Sequence, residues 1–517
     1  MLIGSRLSRR QFMAGTAASL AAWPRGGSSQ TIAIAPAGPF QHGVASGDPL
    51  TDRVILWTRA TPPQARGAQS PIDVRWQIAE DERLAQVVAR GTVQAAAERD
   101  FTVKVDAPDL RPGRRYYFAF ETGGERSPIG RTRTLPDRAD RLRFASVSCA
   151  NYPAGFFNVY RCVAGRDELD LVIHLGDYIY EFADGVYGDG AQTGRVPTPP
   201  GEAITLADYR LRYAAYRLDP DLQEAHRVHP FVTVWDDHEV VNNAWSEGAP
   251  AHTPDKGTWA DRKTAATRAY MEWMPVREAP GGAGVLYRAF RAGDLLDLLM
   301  LDTRTLRDRQ ASGDDPAEIA DPQRSLLGAA QEAWLFERLR ASQRSGTAWR
   351  LLGQQVMFAS ITPPGIKVRN IDQWDGYPAA RQRVLDLLER ERISDVAVLT
   401  GDIHSSWAND LPRNPYAGYR PATGTGSLAV EIVTPAVSSP PLFSIEGVRE
   451  ATPLLRVVSP HVKYLEGDSR GYVVGDVTRE RLIAEWYHVP SVAERSARES
   501  RGARFVCERG SSRLMAG

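Results

Sequence analysis

Cysteine is scarce: 517 residues contain only Cys149, Cys162 and Cys507. So few cannot form a disulfide framework for a chain this long; one pair has the option of bridging, and one thiol must stay unpaired. Net charge is missing too, because 63 Lys and Arg face 63 Asp and Glu. That balance argues against a general nucleic-acid binder and against a funnel of one sign. Beyond the N-terminus nothing approaches the ~18 uninterrupted apolar residues of a membrane span, and no segment repeats. A hydrophobic content of 43% excludes global disorder. The length exceeds one ordinary core, so two domains are expected.

The N-terminus carries paired Arg9 and Arg10, then Phe12, then an Ala-rich apolar stretch from Met13 to Trp23. A charged segment before an apolar run too short to span reads as an export signal. Ser8, the two arginines and Phe12 match the twin-arginine pattern. Cleavage is placed after Ala37, with Ala35 nearly equivalent, so residues 1–37 are read as the leader. The expected destination is periplasmic or extracellular, and the expected partner on the way is the twin-arginine export machinery. That route carries folded proteins, so a metal site loaded before export is worth seeking.

From Phe40 to Leu135 short alternating segments, such as "RVILWTRA" and "RRYYFAFE", are separated by Gly, Pro and Asp punctuation. Residues 38–137 are therefore expected to form a small antiparallel β-sandwich of fibronectin-type-III or Ig-like architecture. "LRPGRRYYFAFE" resembles the loop and strand carrying the buried tyrosine of fibronectin type III domains. "TLPDRADRL" (134–142) reads as the linker. Residues 138–517 alternate apolar runs with amphipathic stretches such as "AAQEAWLFERLRAS", the pattern of an α/β domain with buried, largely parallel strands.

The apolar runs end alike. They give way to Cys149, to Asp177 with Tyr180, to Asp236–Asp237–His238, to Asp302 with Arg304, to Gln354–Gln355, and to Asp402 with His404. Ligands of open α/β sheets bind beyond the carboxyl ends of the strands. Any one of these residues has a bland reading: Asp177 as a turn residue, Cys149 as a small hydrophobe, His404 as a satisfied core histidine. Their equivalent positions change the odds.

Asp177, Asp237 and Asp402 offer hard oxygens, and His404 offers nitrogen. A pair of cations about 3.5–4 Å apart needs one bridging carboxylate. A phenol with an ordinary pKa near ~10 coordinates only a strong Lewis acid, and a thiolate favours a transition metal over calcium. Ferric iron meets both demands.

"SCANY", "GDYIYE", "WDDHEVVNN" and "GDIHSS", in this order behind a β-rich N-terminal region, resemble the motifs of PhoD-like alkaline phosphatases, and more distantly those of purple acid phosphatases. The resemblance implies a metallophosphoesterase domain of layered β-sheets with flanking helices. It makes Asp177 the bridging ligand, Tyr180 and Cys149 ligands of Fe3+, and Asp237, Asp402 and His404 further metal ligands. With Asp237 and Asp402 at positions where the distant relatives carry nitrogen or amide ligands, the second site is hard and suits Ca2+. Gln354 or Gln355 stands where those relatives have a further histidine.

The implied reaction is hydrolysis of phosphate esters by metal-activated hydroxide. His238 is the candidate for phosphate contact and leaving-group protonation. Asn242 is assigned to the phosphate or the divalent site. Arg304 is weighed equally between the phosphoryl group and a salt bridge with Asp302. Asp236 is placed behind the ligands, Glu239 as the residue orienting His238, and Tyr178 in packing. Two alternatives stand beside this reading. One is a phosphodiesterase of phospholipase-D type acting on phospholipids or wall polymers. The other is an exported phosphate-binding protein with a structural metal site.

Overall fold

The apolar runs become buried strands, and they sort into two large sheets, the layered arrangement that the family resemblance implies. Arg141–Val147, Leu171–His174 and Pro230–Thr233 lie parallel in a ten-stranded sheet. One flank continues antiparallel through Arg470–Thr478, Arg481–Val489, Ser500–Glu508 and Met515–Ala516. Leu296–Met300, Trp349–Gly353, Val396–Thr400 and Ser427–Val433 run parallel in a seven-stranded sheet. This computed structural model describes residues 38–62, 70–279, 284–312, 315–363 and 370–517. The leader, with Arg9, Arg10 and Phe12, lies outside the described residues.

One core joins the two sheets. Phe144, Val172 and Phe231 from the first and Leu298, Leu351 and Ile432 from the second belong to the same buried cluster. The shared face covers one side of each sheet and helices bury the other, which is why their strands are continuously apolar instead of alternating. A second cluster includes Leu352 and Val398 of the seven-stranded sheet. Leu335 and Leu339 of helix Gly328–Arg344 join it, as do Val384 and Leu388 of helix Pro378–Arg390. In both helices the apolar pairs are four residues apart, one turn along one face.

The N-terminal region is β-rich, but only part of it forms a separate sheet. Ile72–Ala79, Val87–Ala95, Arg115–Thr122, Glu125–Arg126 and Gly130–Arg133 pair among themselves. Val44–Gly47, Val54–Arg59 and Thr102–Ala107 instead extend the ten-stranded sheet, with Ser46 opposite Pro230 and Gly47 opposite Phe231. The two regions therefore share a backbone ladder, which leaves no mark on side-chain pattern. Gly47 permits the contact, since a Cβ there would lie 2.2 Å from the Pro275 carbonyl oxygen. The expected buried tyrosine is Tyr116, whose hydroxyl accepts the Arg111 N–H at 2.8 Å. Cys149, Cys162 and Cys507 are all buried and unpaired. Among the described residues no helix is long and apolar enough to cross a membrane.

Candidate metal centre

The carboxyl ends of both sheets open on one rim. Beyond Val147, His174 and Thr233 of the first sheet, and Thr400 of the second, the chain turns sharply. Cys149, Asp177, Asp402 and His404 take left-handed φ angles of 62°, 54°, 60° and 53°. Such conformations cost non-glycine residues about 1–3 kcal/mol each and persist where the surroundings over-determine them. They break the alternation of each strand and turn successive side chains onto the rim. Gly176 makes one turn possible: its φ is 106°, and a Cβ would lie 2.5 Å from the Asp236 backbone nitrogen.

The donors then converge. A Cys149 sulfur, an Asp177 oxygen and a His404 nitrogen lie within 4.8 Å of one another. So do donors of Asp177, Asp237 and His238, and those of Asp236, Asp237 and Asp402. Asp177 is common to the first two groups and Asp237 to the last two. Tyr180 joins the first: its hydroxyl donates to Asp177 Oδ2 at 2.8 Å, lies 3.2 Å from His404 Nε2 and receives the Ser439 hydroxyl at 2.7 Å.

Each imidazole is held from behind. His404 Nδ1 lies 2.9 Å from the Pro440 carbonyl, which can only accept, so the lone pair is on Nε2 facing Tyr180. His238 Nδ1 donates to Glu181 Oε2 at 2.7 Å, and Glu181 Oε1 accepts the Asn242 N–H at 2.7 Å. Glu181, not Glu239, therefore orients His238. Glu239 accepts the backbone N–H groups of Asp177 (3.2 Å), Tyr178 (2.6 Å) and Asp236 (2.8 Å), tying two strand ends together. Tyr178 packs away from the centre, its hydroxyl 2.9 Å from His226 Nε2.

Arg304 is wholly buried. Its Nε bonds Asp236, its Nη1 bonds Asp372 at 2.7 Å, and its Nη2 bonds Asp402. The side-chain pairing with Asp302 does not form; Asp302 accepts the backbone N–H groups of Arg304 (3.0 Å) and Thr305 (2.8 Å). Gln354 and Gln355 also serve structure. Gln354 donates to Val356 O and the Thr400 hydroxyl, while Gln355 accepts from Thr303 and donates to Leu301 O. The amide that reaches the cluster is that of Gln373, which donates to Asp402 Oδ2 at 2.5 Å.

Sequence reasoning missed Glu181, Asp372 and Gln373. Glu181 had a local signal, since it directly follows Tyr180. Asp372 and Gln373 sit in a loop without a strand before them and had none.

The electrostatics favour cations. Asp177 Oδ1, Asp236 Oδ2 and Asp237 Oδ1 are buried with no hydrogen-bond partner, an expensive arrangement for carboxylates. Burial pushes the Asp177 carboxyl well above the usual range, and the charges of Asp237, Glu239 and Asp402 push the same way. Burial likewise raises the Cys149 thiol and the Tyr180 phenol, each helped by Asp177. Against burial, which pulls it down, Glu181, Asp237 and Asp177 hold the His238 imidazole well above its ordinary value. Orphaned oxygens, a thiol, a phenol and an imidazole with its lone pair turned inward are a donor set that fits metal ions.

Comparison with known proteins agrees. The PhoD-like phosphatase family matches residues 144–486, and the N-terminal domain of PhoD-like phosphatases matches residues 27–136. Alkaline phosphatase D of Bacillus subtilis (strain 168) is 38% identical over 491 residues, covering 91% of this chain and 81% of that protein. A solved structure of PhoD superposes with a TM-score of 0.84 at 36% identity, covering 94% of this chain and 93% of that one.

Proposed function

The chain belongs to the PhoD-like phosphatase family and is a phosphoric ester hydrolase with metal cofactors; we propose that it is an exported alkaline phosphatase using Fe3+ and Ca2+. The observation that carries the assignment is the double membership of Asp177, which stands between Cys149 and His404 on one side and Asp237 and His238 on the other. One carboxylate with two oxygens in that position is what a pair of adjacent cations requires.

Cys149, Asp177, Tyr180 and His404 would hold the ferric ion, and Asp177, Asp237 and Asp402 the divalent one. Bound there, the ions supply Lewis acidity toward the phosphoryl oxygens and the attacking water. The remaining chemistry belongs to the chain. Asp236 and Asp402 are held in place by Arg304, whose charge opposes the upward push of burial on both carboxyls and whose guanidinium is too enclosed to meet substrate. His238, held charged by Glu181, is assigned contact with the phosphoryl group and transfer of its Nε2 proton to the departing alkoxide. Asn242, anchored through its N–H to Glu181, stands next to that path and is assigned a hydrogen bond to the phosphoryl group. The N-terminal twin arginines support export and thus a periplasmic or extracellular site of action.

Metal analysis with an absorption spectrum tests the reading. Iron and calcium should copurify, with a visible charge-transfer band from the phenolate and thiolate. Tyr180→Phe should weaken or shift that band. A colourless, iron-free and fully active protein would overturn the ferric assignment.

A further inference from the structure

Beside the metal ions and His238, a guanidinium facing the ester would add to the binding of an anionic substrate. Arg304 has no nitrogen to spare. Arg307 is likewise spent, on Ala244 O, Asp372 O and Asp372 Oδ1. Arg212 is enclosed among the carbonyls of Tyr180, Phe182, Thr198, Pro199 and Gly201.

Arg470 differs. It opens the strand Arg470–Thr478, is half-buried, and donates from Nε to Ser439 O at 3.2 Å. Among the described residues its Nη1 and Nη2 meet no acceptor, and no carboxylate pairs with it. The nearby acids are engaged elsewhere: Asp468 pairs with Arg449, and Glu466 accepts the Asp468 and Ser469 N–H groups.

The segment that Arg470 grips is part of the centre. Ser439 donates to the Tyr180 hydroxyl at 2.7 Å, and the next carbonyl, Pro440 O, holds His404 at 2.9 Å. Tyr187 lies beside them, its hydroxyl 3.1 Å from His404 Nδ1, and the charge of Arg470 acts on both Tyr187 and His404. A half-buried guanidinium without a counter-ion bears a desolvation cost that an arriving phosphate would relieve. Its planar fork matches two phosphate oxygens.

We propose that Arg470 is a substrate-contacting residue whose free terminal nitrogens receive the phosphoryl oxygens and favour dianionic monoesters over monoanionic diesters. This rests on the phosphatase reading and adds to it the ester class. A monoester dianion offers one more unit of charge and one more non-bridging oxygen to that fork than a diester does.

The test uses metal-loaded wild type, Arg470→Gln and Arg470→Lys. Steady-state kinetics are measured on p-nitrophenyl phosphate and bis(p-nitrophenyl) phosphate, with inorganic phosphate as competitive inhibitor. Arg470→Gln should raise KM for the monoester and Ki for phosphate by about tenfold or more, with a smaller rise for the diester. The visible band and melting temperature should hold, and Arg470→Lys should recover part of the loss. Unchanged KM and Ki would overturn the contact, and equal losses on both esters would overturn the preference. A fall in kcat with a bleached band would also overturn it, showing that Arg470 merely props Ser439. Failure of the phosphatase reading looks different: wild type would then hydrolyse neither ester.

Discussion

Replacing Glu181 by Gln keeps the shape of one buried side chain and removes its charge. In the native protein its two oxygens accept two different donors, His238 Nδ1–H and the Asn242 N–H, each at 2.7 Å. An amide has one acceptor and one donor end, so it satisfies only one of them. With Oε1 toward His238, the NH2 group confronts the Asn242 N–H, donor against donor. With the amide reversed, its NH2 faces Nδ1, and the imidazole proton must move to Nε2. The lone pair is then on Nδ1, and the neutral imidazole, although it keeps a proton on Nε2, is a far weaker acid toward the leaving group than the imidazolium. Either outcome forfeits a charge-assisted bond worth about 1.5–3 kcal/mol. Supports of this kind commonly change activity by about 10- to 100-fold. The expected result is therefore a kcat/KM on p-nitrophenyl phosphate about 10- to 100-fold below wild type, mainly in kcat, with iron and calcium contents unchanged. A variant within twofold of wild type across the pH range would refute the argument that Glu181 sets the state of His238.

Other outcomes follow from the same geometry. Asp177→Asn removes the shared carboxylate and should lower activity by about a hundredfold or more while reducing bound metal, measured by elemental analysis. Chelation of calcium should abolish activity and lower the melting temperature, both restored on adding Ca2+, because Asp236, Asp237 and Asp402 again repel one another without it. Gly176→Ala combines a φ of 106° with a Cβ 2.5 Å from Asp236 atoms and should cost about 3 kcal/mol or more in urea unfolding. Burial holds His42 and His174 neutral with pKa values of about 3. Each therefore contributes stability that is full above the unfolded pKa of 6.5 and is lost as pH falls toward 3. The slope is up to about 1.4 kcal/mol per pH unit for each. Unfolding of His174→Gln should show a shallower acid slope, and an unchanged slope would exclude that histidine as a contributor.

Much of this was legible in the chain itself. Apolar runs that stop at Asp177, Asp237 and Asp402 announce strand ends, and strand ends are where α/β proteins place chemistry. The pairing of a carboxylate with Tyr180 and Cys149 speaks for a hard, strongly acidic metal because ligand preference is a property of residue type. Strand, helix and donor identity are all local matters of side-chain pattern and chemistry. Three things were settled only by tertiary structure. The N-terminal strands Val44–Gly47, Val54–Arg59 and Thr102–Ala107 belong to the main sheet, because backbone ladders carry no side-chain signature. Strand ends from two different sheets bring Asp177 to His404, a pairing across 227 residues that periodicity cannot encode. The division between donors and their supports came last: Glu181 rather than Glu239 behind His238, Arg304 among aspartates, Arg470 with its terminal nitrogens unengaged among the described residues. The same residue type serves as ligand, brace or substrate contact according to which atoms surround it, and those neighbours are chosen by the fold.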